Sequence, residues 1–147
     1  MREIKFKAWD KLNKEMFNVE IMDFQERKVY KDTVSYRKFN DIELMQYTEL
    51  KDKNEKEIYE GDVVKLVHTG IEISADRLED LKRFVGIIKY ENGIFKIVKT
   101  EKSLIESKYF EMEQKKVSEI FIYSKLYDLE VVGNIYENPE LLKENNN

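Results

Sequence analysis

The sequence predicts a mainly β fold of the α+β class, with small antiparallel sheets, an SH3-like barrel component and two or three short helices. Three observations support this prediction. Apolar and polar residues alternate with a period of two along much of the chain, a pattern typical of half-buried strands. Asn92-Gly93 separates two apolar runs, and Asn-Gly favours the type I′ turn of a β-hairpin. Glu60-Gly61-Asp62 leads into a valine-rich strand, as at the entry to a small SH3-like barrel, an analogy at the level of fold alone.

The first third of the chain predicts a hairpin and one further short strand. Residues 4–8 alternate apolar side chains with lysines and indicate the first strand, and residues 10–14 indicate a turn. Residues 16–24 indicate the second strand. Apolar side chains occur on both of its faces, so we expect part of it to be covered on both sides. Residues 29–30 indicate the short strand.

The centre of the chain predicts a strand, a charged turn and a second strand. The first of these strands covers residues 42–50, and the seven charged or amide residues 51–57 predict a solvent-exposed turn. Tyr59 is predicted to bury its ring beside a bend at Gly61. Asp62 is predicted to accept hydrogen bonds from nearby backbone amides. A valine-rich strand then follows.

Three short helices are predicted in the second half of the chain. Ser74 is the candidate N-cap of the first, which has apolar residues at helical spacing as far as Val85. The capping-box pattern Ser103-Leu104-Ile105-Glu106 predicts the second. Asn138-Pro139 predicts the third, with asparagine as N-cap and proline in the first helical position.

The remaining apolar runs of the second half predict strands. Residues 86–90 and 94–98 flank the Asn-Gly turn and predict a hairpin. Residues 120–123 and 129–136 predict two further strands.

Length and composition indicate a single domain that spans residues 1–147. The absence of cysteine excludes disulfides, thiolate zinc sites and cysteine nucleophiles, and it fits a reducing cytoplasm. The N-terminal segment has no apolar core of a signal peptide, and no run approaches the about 18 apolar residues of a membrane span. We therefore expect a cytoplasmic protein without a membrane partner.

The residues that could carry chemistry form no recognised site. His68 is the only histidine, and the chain offers it neither a serine in a nucleophile-elbow context nor a further His or Cys ligand for zinc. Asp52-Lys53-Asn54 begins like a calcium loop, but Glu57 stands where the sharp turn requires glycine and Val63 where the bidentate glutamate is required. We predict no catalytic, cofactor-binding or metal-binding residue, no cofactor and no enzymatic activity.

The tyrosines suggest a role in association. Aromatic residues make up 12% of the chain, and nine of them are tyrosine. Tyrosine on a strand is ordinarily half-buried packing, but the same residue type is enriched in protein interfaces. We predict five tyrosines as candidate interface residues, namely Tyr47, Tyr59, Tyr123, Tyr127 and Tyr136.

Four segments together resemble the YopX family of phage and prophage proteins. They are the opening MREIKFKAWDK, the central LMQYTELKDKNEKEIYEGDVVK, the hairpin strand GIIKY and the late LEVVGNIYENPELL. Segments 25–41, 70–83 and 99–120 contribute nothing to the resemblance. The family turn usually reads DKNGKEIY, whereas this chain has Glu55 in place of the glycine. A residue other than glycine favours a slightly longer loop at that turn.

The resemblance implies a mainly β YopX-like domain with some helix, encoded by a phage or prophage and acting in the bacterial cytoplasm. It implies no activity and no catalytic residues. The alternating strands and the Asn-Gly hairpin support the β-rich class independently.

Three functions stay open. The first is a non-enzymatic binding or self-assembly module, a homo-oligomer or a protein that docks a phage or host protein. The second is a nucleic-acid-associated accessory protein, although the net charge is −4 and no third of the chain is basic. The second function predicts a cluster of cations on one face, formed by Arg2, Lys5, Lys7, Lys11, Lys89 and Lys96. The third is an enzyme of unrecognised type, which requires a cleft in which two or more carboxylates converge, with or without His68.

Overall fold

The computed structural model describes residues 1–68, 84–100, 119–121 and 127–143. Contacts divide the chain into two compact units, Met1–Glu49 and Leu50–Asn147. The single domain predicted for residues 1–147 stays a prediction. Among the described residues, no helix is long and apolar enough to cross a membrane.

Twelve strands make up the described regular structure, apart from two 3₁₀ turns at Phe39–Asp41 and Pro139–Leu141. The strands are β1 (Phe6–Asp10), β2 (Glu15–Asn18), β3 (Ile21–Asp23), β4 (Lys28–Tyr30), β5 (Tyr36–Lys38), β6 (Ile42–Lys51), β7 (Glu57–Tyr59), β8 (Asp62–His68), β9 (Val85–Glu91), β10 (Ile94–Lys99), β11 (Glu119–Phe121) and β12 (Tyr127–Asn134). The sheet orders are β2-β1-β6-β7, β3-β4-β5 and β11-β10-β9-β8-β12. The mainly β class with small antiparallel sheets is therefore confirmed.

The first unit begins with the predicted hairpin, because β1 pairs antiparallel with β2. The prediction for the second strand is wrong in its length and in the expectation that part of the strand is covered on both faces. The chain leaves β2 after Asn18, and β3 begins at Ile21 in a different sheet. Ile21 is 49% exposed and Phe24 is 75% exposed, so their apolar character does not mark a strand covered on both sides.

Strand β6 follows its predicted alternation only in part. Met45 and Tyr47 are buried on one face, as alternation requires, whereas on the other face Ile42 and Thr48 are buried and Leu44 is 37% exposed. Glu49 has a φ of 66°, in the left-handed region. This residue interrupts the extended backbone near the C-terminal end of the strand, where the alternation therefore ends.

Aspartates close the turns of the first unit. The Asp10 carboxylate accepts hydrogen bonds from the backbone N–H groups of Leu12 and Asn13, at 2.9 and 3.0 Å. Asp23 accepts one from Glu26 N–H at 2.8 Å in the turn from β3 to β4. Asp32 accepts bonds from two N–H groups in the turn from β4 to β5. A carboxylate that bonds its own backbone two or three residues on favours a turn over a continued strand.

The second unit is organised around the five-stranded sheet. The predicted Asn-Gly hairpin is confirmed, because Asn92 and Gly93 both have positive φ, 53° and 82°, as a type I′ turn requires. The buried apolar cluster draws on five strands of this unit and on Phe84, and consists of Ile58, Val64, Leu66, Phe84, Ile88, Phe95, Ile97 and Leu129. The five-stranded sheet forms a half-barrel, and the SH3-like character predicted for it stays a prediction. Closure of that barrel stays a prediction.

The predicted helices are the main error in the fold class, because the described residues contain no α-helix. At Asn138-Pro139 the chain makes only the 3₁₀ turn Pro139–Leu141, and the Asn138 side chain forms no helix cap. It accepts instead from the backbone N–H of Asn134 at 3.3 Å, so the amide that should cap a helix closes the preceding turn. Val85, expected at the end of a helix, begins β9. The other positions predicted for helices, 74–83 and 103–112, lie outside the described residues.

Candidate functional site

The charged turn at residues 51–57 contains a buried carboxylate. Asp52 is only 5% exposed, so the prediction that the whole turn is solvent-exposed is wrong at this residue. Its Oδ1 accepts from the N–H groups of Asn54 and Lys56, at 2.8 and 3.0 Å, and its Oδ2 accepts from Val131 N–H at 3.0 Å. Burial raises the pKa of Asp52, but these hydrogen bonds outweigh it and hold the pKa below its ordinary value. The carboxylate holds the backbone together and is not available as a ligand.

The adjoining residues pack as predicted. Tyr59 is 3% exposed, and Gly61 makes the bend with a φ of 82°. Asp62 Oδ2 accepts a hydrogen bond from Tyr59 N–H at 2.9 Å. The Tyr59 hydroxyl donates to Glu57 Oε2 at 2.7 Å, so the polar end of the buried ring is satisfied. This stretch is a packing element.

A second buried carboxylate, Asp10, was not singled out by the sequence. Asp10 is fully buried and forms an ion pair with Arg37, in addition to its bonds with the following turn. Burial raises the pKa of Asp10, whereas the backbone N–H groups of Asn13 and Leu12 and the side chains of Arg37 and Asn13 lower it, to a net value of about 2. The sequence shows Asp10 at the start of a predicted turn, but it does not indicate that Arg37 is its partner.

The described residues offer no metal centre, because no group of three or more His, Asp or Glu side chains is placed to hold an ion. His68 ends β8, where its backbone pairs with that of Tyr127. The absence of an enzymatic activity stays a prediction.

The burial of three of the candidate interface tyrosines is described by the structure. Tyr47 and Tyr59 are 4% and 3% exposed, and Tyr136 is half-buried. Tyr127 begins β12. Tyr123 lies outside the described residues. The interface role of these five residues stays a prediction.

Two exposed apolar side chains of the first unit, Ile21 and Tyr36, lie in one row with the half-buried Tyr30 on the sheet β3-β4-β5. Ile21, Tyr30 and Tyr36 are directly paired across the three strands. Two positions along each strand, on the same face, Asp23, Lys28 and Lys38 form a second row. We call these six residues the tyrosine face. The intervening row points to the opposite side, where its central residue Val29 is fully buried.

Contacts within the tyrosine face fix its aromatic side chains. The rings of Tyr30 and Tyr36 lie 5.7 Å apart at 49°. Lys28 Nζ lies 4.6 Å from the centroid of the Tyr36 ring, within the range of a cation–π interaction, and 3.6 Å from Glu26 Oε2. Ile21 and Tyr36 nevertheless remain 49% and 43% exposed. The apolar row of the face is thus packed against its neighbours, yet still partly open to solvent.

A shallow pocket of about 180 Å³ adjoins the row of Asp23, Lys28 and Lys38, which we call the charged row. It is lined by Glu26, Arg27, Lys38, Phe39 and Asn40. Phe24, which is 75% exposed, packs edge-on against Phe39 with ring centroids 6.2 Å apart. Apolar exposure therefore continues beyond the tyrosine face toward the turn from β3 to β4.

The tyrosine face is not evident from the sequence alone. Residues 25–41 are polar and weakly patterned, because each strand here has three residues and period-2 alternation needs a longer run to be visible. The face exists only when three short strands pair in register. The Tyr30-to-Tyr36 spacing across an Asp32-led turn was the one available indication.

The cations expected to form a nucleic-acid surface are mostly matched with acids. Arg2 pairs with Glu49 at 2.9 Å, and Lys5 pairs with Glu3 at 2.7 Å. Lys11 lies 3.6 Å from Glu43. In the second unit, Lys96 is 6% exposed and pairs with Glu91 at 2.7 Å, while its cross-strand neighbour Lys89 is exposed. Lys7 lies on β1 and is half-buried.

Comparison with known proteins places the chain in a family. The model of the YopX protein family matches residues 5–143. Protein EF1440 from Enterococcus faecalis has a similar crystal structure, with a TM-score of 0.58, 28% identity, and cover of 97% of this chain and 100% of that chain. YopX from Bacillus subtilis shares the fold, with a TM-score of 0.53, 17% identity, and cover of 96% and 97% of the two chains. No curated protein matches the sequence. Because the family model spans nearly the whole chain, the protein belongs to the YopX family.

Proposed function

We propose that the protein is a non-enzymatic binding module that self-assembles through the tyrosine face. The observation that carries this proposal is the row Ile21, Tyr30 and Tyr36, which stands on a paired sheet and keeps apolar side chains in water. Burial of such a row against another protein surface yields about 25 cal/mol per Å² of apolar area. Tyrosine suits this role because its ring loses little conformational freedom on binding.

Charge favours a protein partner over a nucleic acid. The charged row carries Asp23 together with Lys28 and Lys38, and Glu26 neighbours Lys28. A nucleic-acid surface gains its affinity from cations that neutralise phosphates, and a carboxylate among them works against that gain. Mixed charge beside an apolar row is typical of the rim of a protein interface. The phage or prophage origin and the cytoplasmic location suggested by the family belong to this proposal as its setting.

Size-exclusion chromatography with light scattering tests self-assembly. We expect the mass of the unmodified chain to rise above that of the monomer as concentration increases. Ile21→Ser should shift the chain toward the monomer. Ile94→Ser is the matched control, because Ile94 is 42% exposed on a strand of the second unit and Ile21 is 49% exposed. A monomeric unmodified chain at every concentration, or equal effects of the two variants, would contradict the proposal.

A further inference from the structure

We infer that two copies of the chain meet face to face across a twofold axis that runs along β4, with Asp23 of each copy paired with Lys38 of the other. This inference rests on the proposed self-assembly and adds the geometry of the interface. The two contacts between Asp23 and Lys38 would give the interface its register.

The order of side chains across the sheet makes the tyrosine face self-complementary. In the charged row, the acid stands on edge strand β3, and a base stands on the opposite edge strand, β5. A twofold rotation about the central strand exchanges these edges and leaves position along the strands unchanged. Asp23 then meets Lys38 twice, and the apolar row meets the apolar row. An isologous contact of this kind closes as a dimer.

The other twofold axis in the plane of the sheet gives a poor fit. An axis across the strands reverses position along them, so Asp23 would face Ile21 and Lys38 would face Tyr36. Both charged groups would then be desolvated against apolar side chains without a partner. Both axes keep the strand lines of the two sheets aligned, as face-to-face packing requires, so the pairing of side chains selects the axis along β4.

The groups that would pair are available. Lys38 is exposed and forms no ion pair in the part of the chain that the structure describes. Asp23 uses Oδ1 to accept from Glu26 N–H at 2.8 Å, and its Oδ2 makes no hydrogen bond with a described residue. Lys28, which would approach its own equivalent at the axis, already has Glu26 Oε2 at 3.6 Å and the Tyr36 ring at 4.6 Å. Its charge is therefore partly compensated before the second copy arrives.

Cross-linking tests the axis directly. The chain has no cysteine, so a single introduced thiol reports only its own position. Packed sheets lie about 10 Å apart, which is too far for a disulfide, so the reagent is a bis-maleimide with a short spacer. Lys28→Cys should cross-link to a dimer. Lys89→Cys, on an exposed strand position of the second unit, should give no cross-linked dimer under the same conditions.

A charge exchange tests the register. Lys38→Asp alone should weaken self-association by about tenfold. Asp23→Lys alone should weaken it as well, and the double variant should recover to within about threefold of the unmodified chain. Thermal unfolding of each variant verifies that the turn closed by Asp23 survives the substitution.

The outcomes separate the geometry from the proposed function. Cross-linking at position 28 together with recovery in the double variant supports the twofold arrangement. An unmodified chain that oligomerises without either result overturns the arrangement and leaves self-assembly intact. A monomeric unmodified chain overturns both.

Discussion

The Asp52 carboxylate accepts a hydrogen bond at 3.0 Å from the backbone N–H of Val131, a residue 79 positions later in the sequence. The same turn makes a second link to β12, because Lys53 N–H donates to the Leu129 carbonyl at 2.9 Å. The register of β12 shifts between Val131 and Gly133, so the Val131 N–H lies at an irregularity in the pairing of β12 with β8. Its hydrogen-bond acceptor is the Asp52 carboxylate. A charged residue in a polar turn thereby fixes a distant strand.

Substitution of Asp52 should therefore cost more than its position in a charged turn suggests. Asp52→Ala removes the acceptor of three backbone hydrogen bonds and leaves the Val131 N–H without its partner. We expect a loss of about 2 to 3 kcal/mol in the free energy of unfolding, measured by urea denaturation. Lys51→Ala, at an exposed position of the same segment, should change it by less than about 0.5 kcal/mol. Equal losses in the two variants would contradict the assigned role of Asp52.

Asp10 predicts how stability depends on pH. Its folded pKa is about 2, below the ordinary 3.8, so the folded state favours the ionised carboxylate. The resulting stabilisation is complete above pH 3.8 and is lost as the pH falls from 3.8 toward 2. Asp10→Asn should be less stable than the unmodified chain near neutral pH, and the difference should shrink through this window. A difference that stays constant from neutral pH to pH 2 would show that the ionisation of Asp10 makes no contribution.

Glu55 occupies the glycine position of the family turn and keeps glycine-like geometry. Its φ is 64°, and its N–H donates to the Asp52 carbonyl at 3.0 Å. The left-handed conformation costs a residue with a Cβ about 1 to 2 kcal/mol, partly offset by the entropy that glycine loses on folding. Glu55→Gly should thus stabilise the chain by about 0.5 kcal/mol. Glu55→Gln is the control for charge and should have little effect in thermal unfolding. Destabilisation by Glu55→Gly would contradict the argument.

Two glycines of the Asn-Gly hairpin should respond to alanine for different reasons. At Gly86 a Cβ would collide with the Ile97 side chain and stand 2.9 Å from the Phe84 ring, in the buried cluster. At Gly93 it would have no neighbour within 4 Å, but φ is 82°. We expect Gly86→Ala to cost about 2 to 3 kcal/mol through overpacking and Gly93→Ala about 1 kcal/mol through backbone strain. Chemical denaturation of both variants checks the order, and the reverse order would contradict it.

Local chemistry explains which parts of the fold the sequence predicts. The Asn92-Gly93 hairpin and the bend at Gly61 depend on residues a few positions apart, and both are confirmed. The buried position of Asp10 depends on Arg37, and that of Asp52 depends on Val131. Each pair of residues comes together only in the folded chain. Charged residues in a turn are exposed on average, but this average does not identify the one carboxylate that accepts a hydrogen bond from a distant backbone N–H.

The helix predicted at Asn138-Pro139 is wrong for a related reason. Asn138-Pro139 has the residue types of a helix start, but the Asn138 amide bonds to Asn134 N–H, and the turn ends after Leu141. Propensity for a helix is a weak influence that local hydrogen bonds override. The tyrosine face was hidden because its rows run across strands rather than along the sequence.

Sedimentation equilibrium on a matched pair of tyrosine variants tests the central claim most directly. Tyr36 on the tyrosine face is 43% exposed, and Tyr90 on β9 is 46% exposed; each packs against one aromatic neighbour, Tyr30 and Phe95 respectively. We predict that the unmodified chain and Tyr90→Ser share one dissociation constant and that Tyr36→Ser raises it by at least about tenfold, a typical effect of removing an interface anchor. A monomeric unmodified chain, or equal dissociation constants for the two variants, would contradict self-assembly through the tyrosine face.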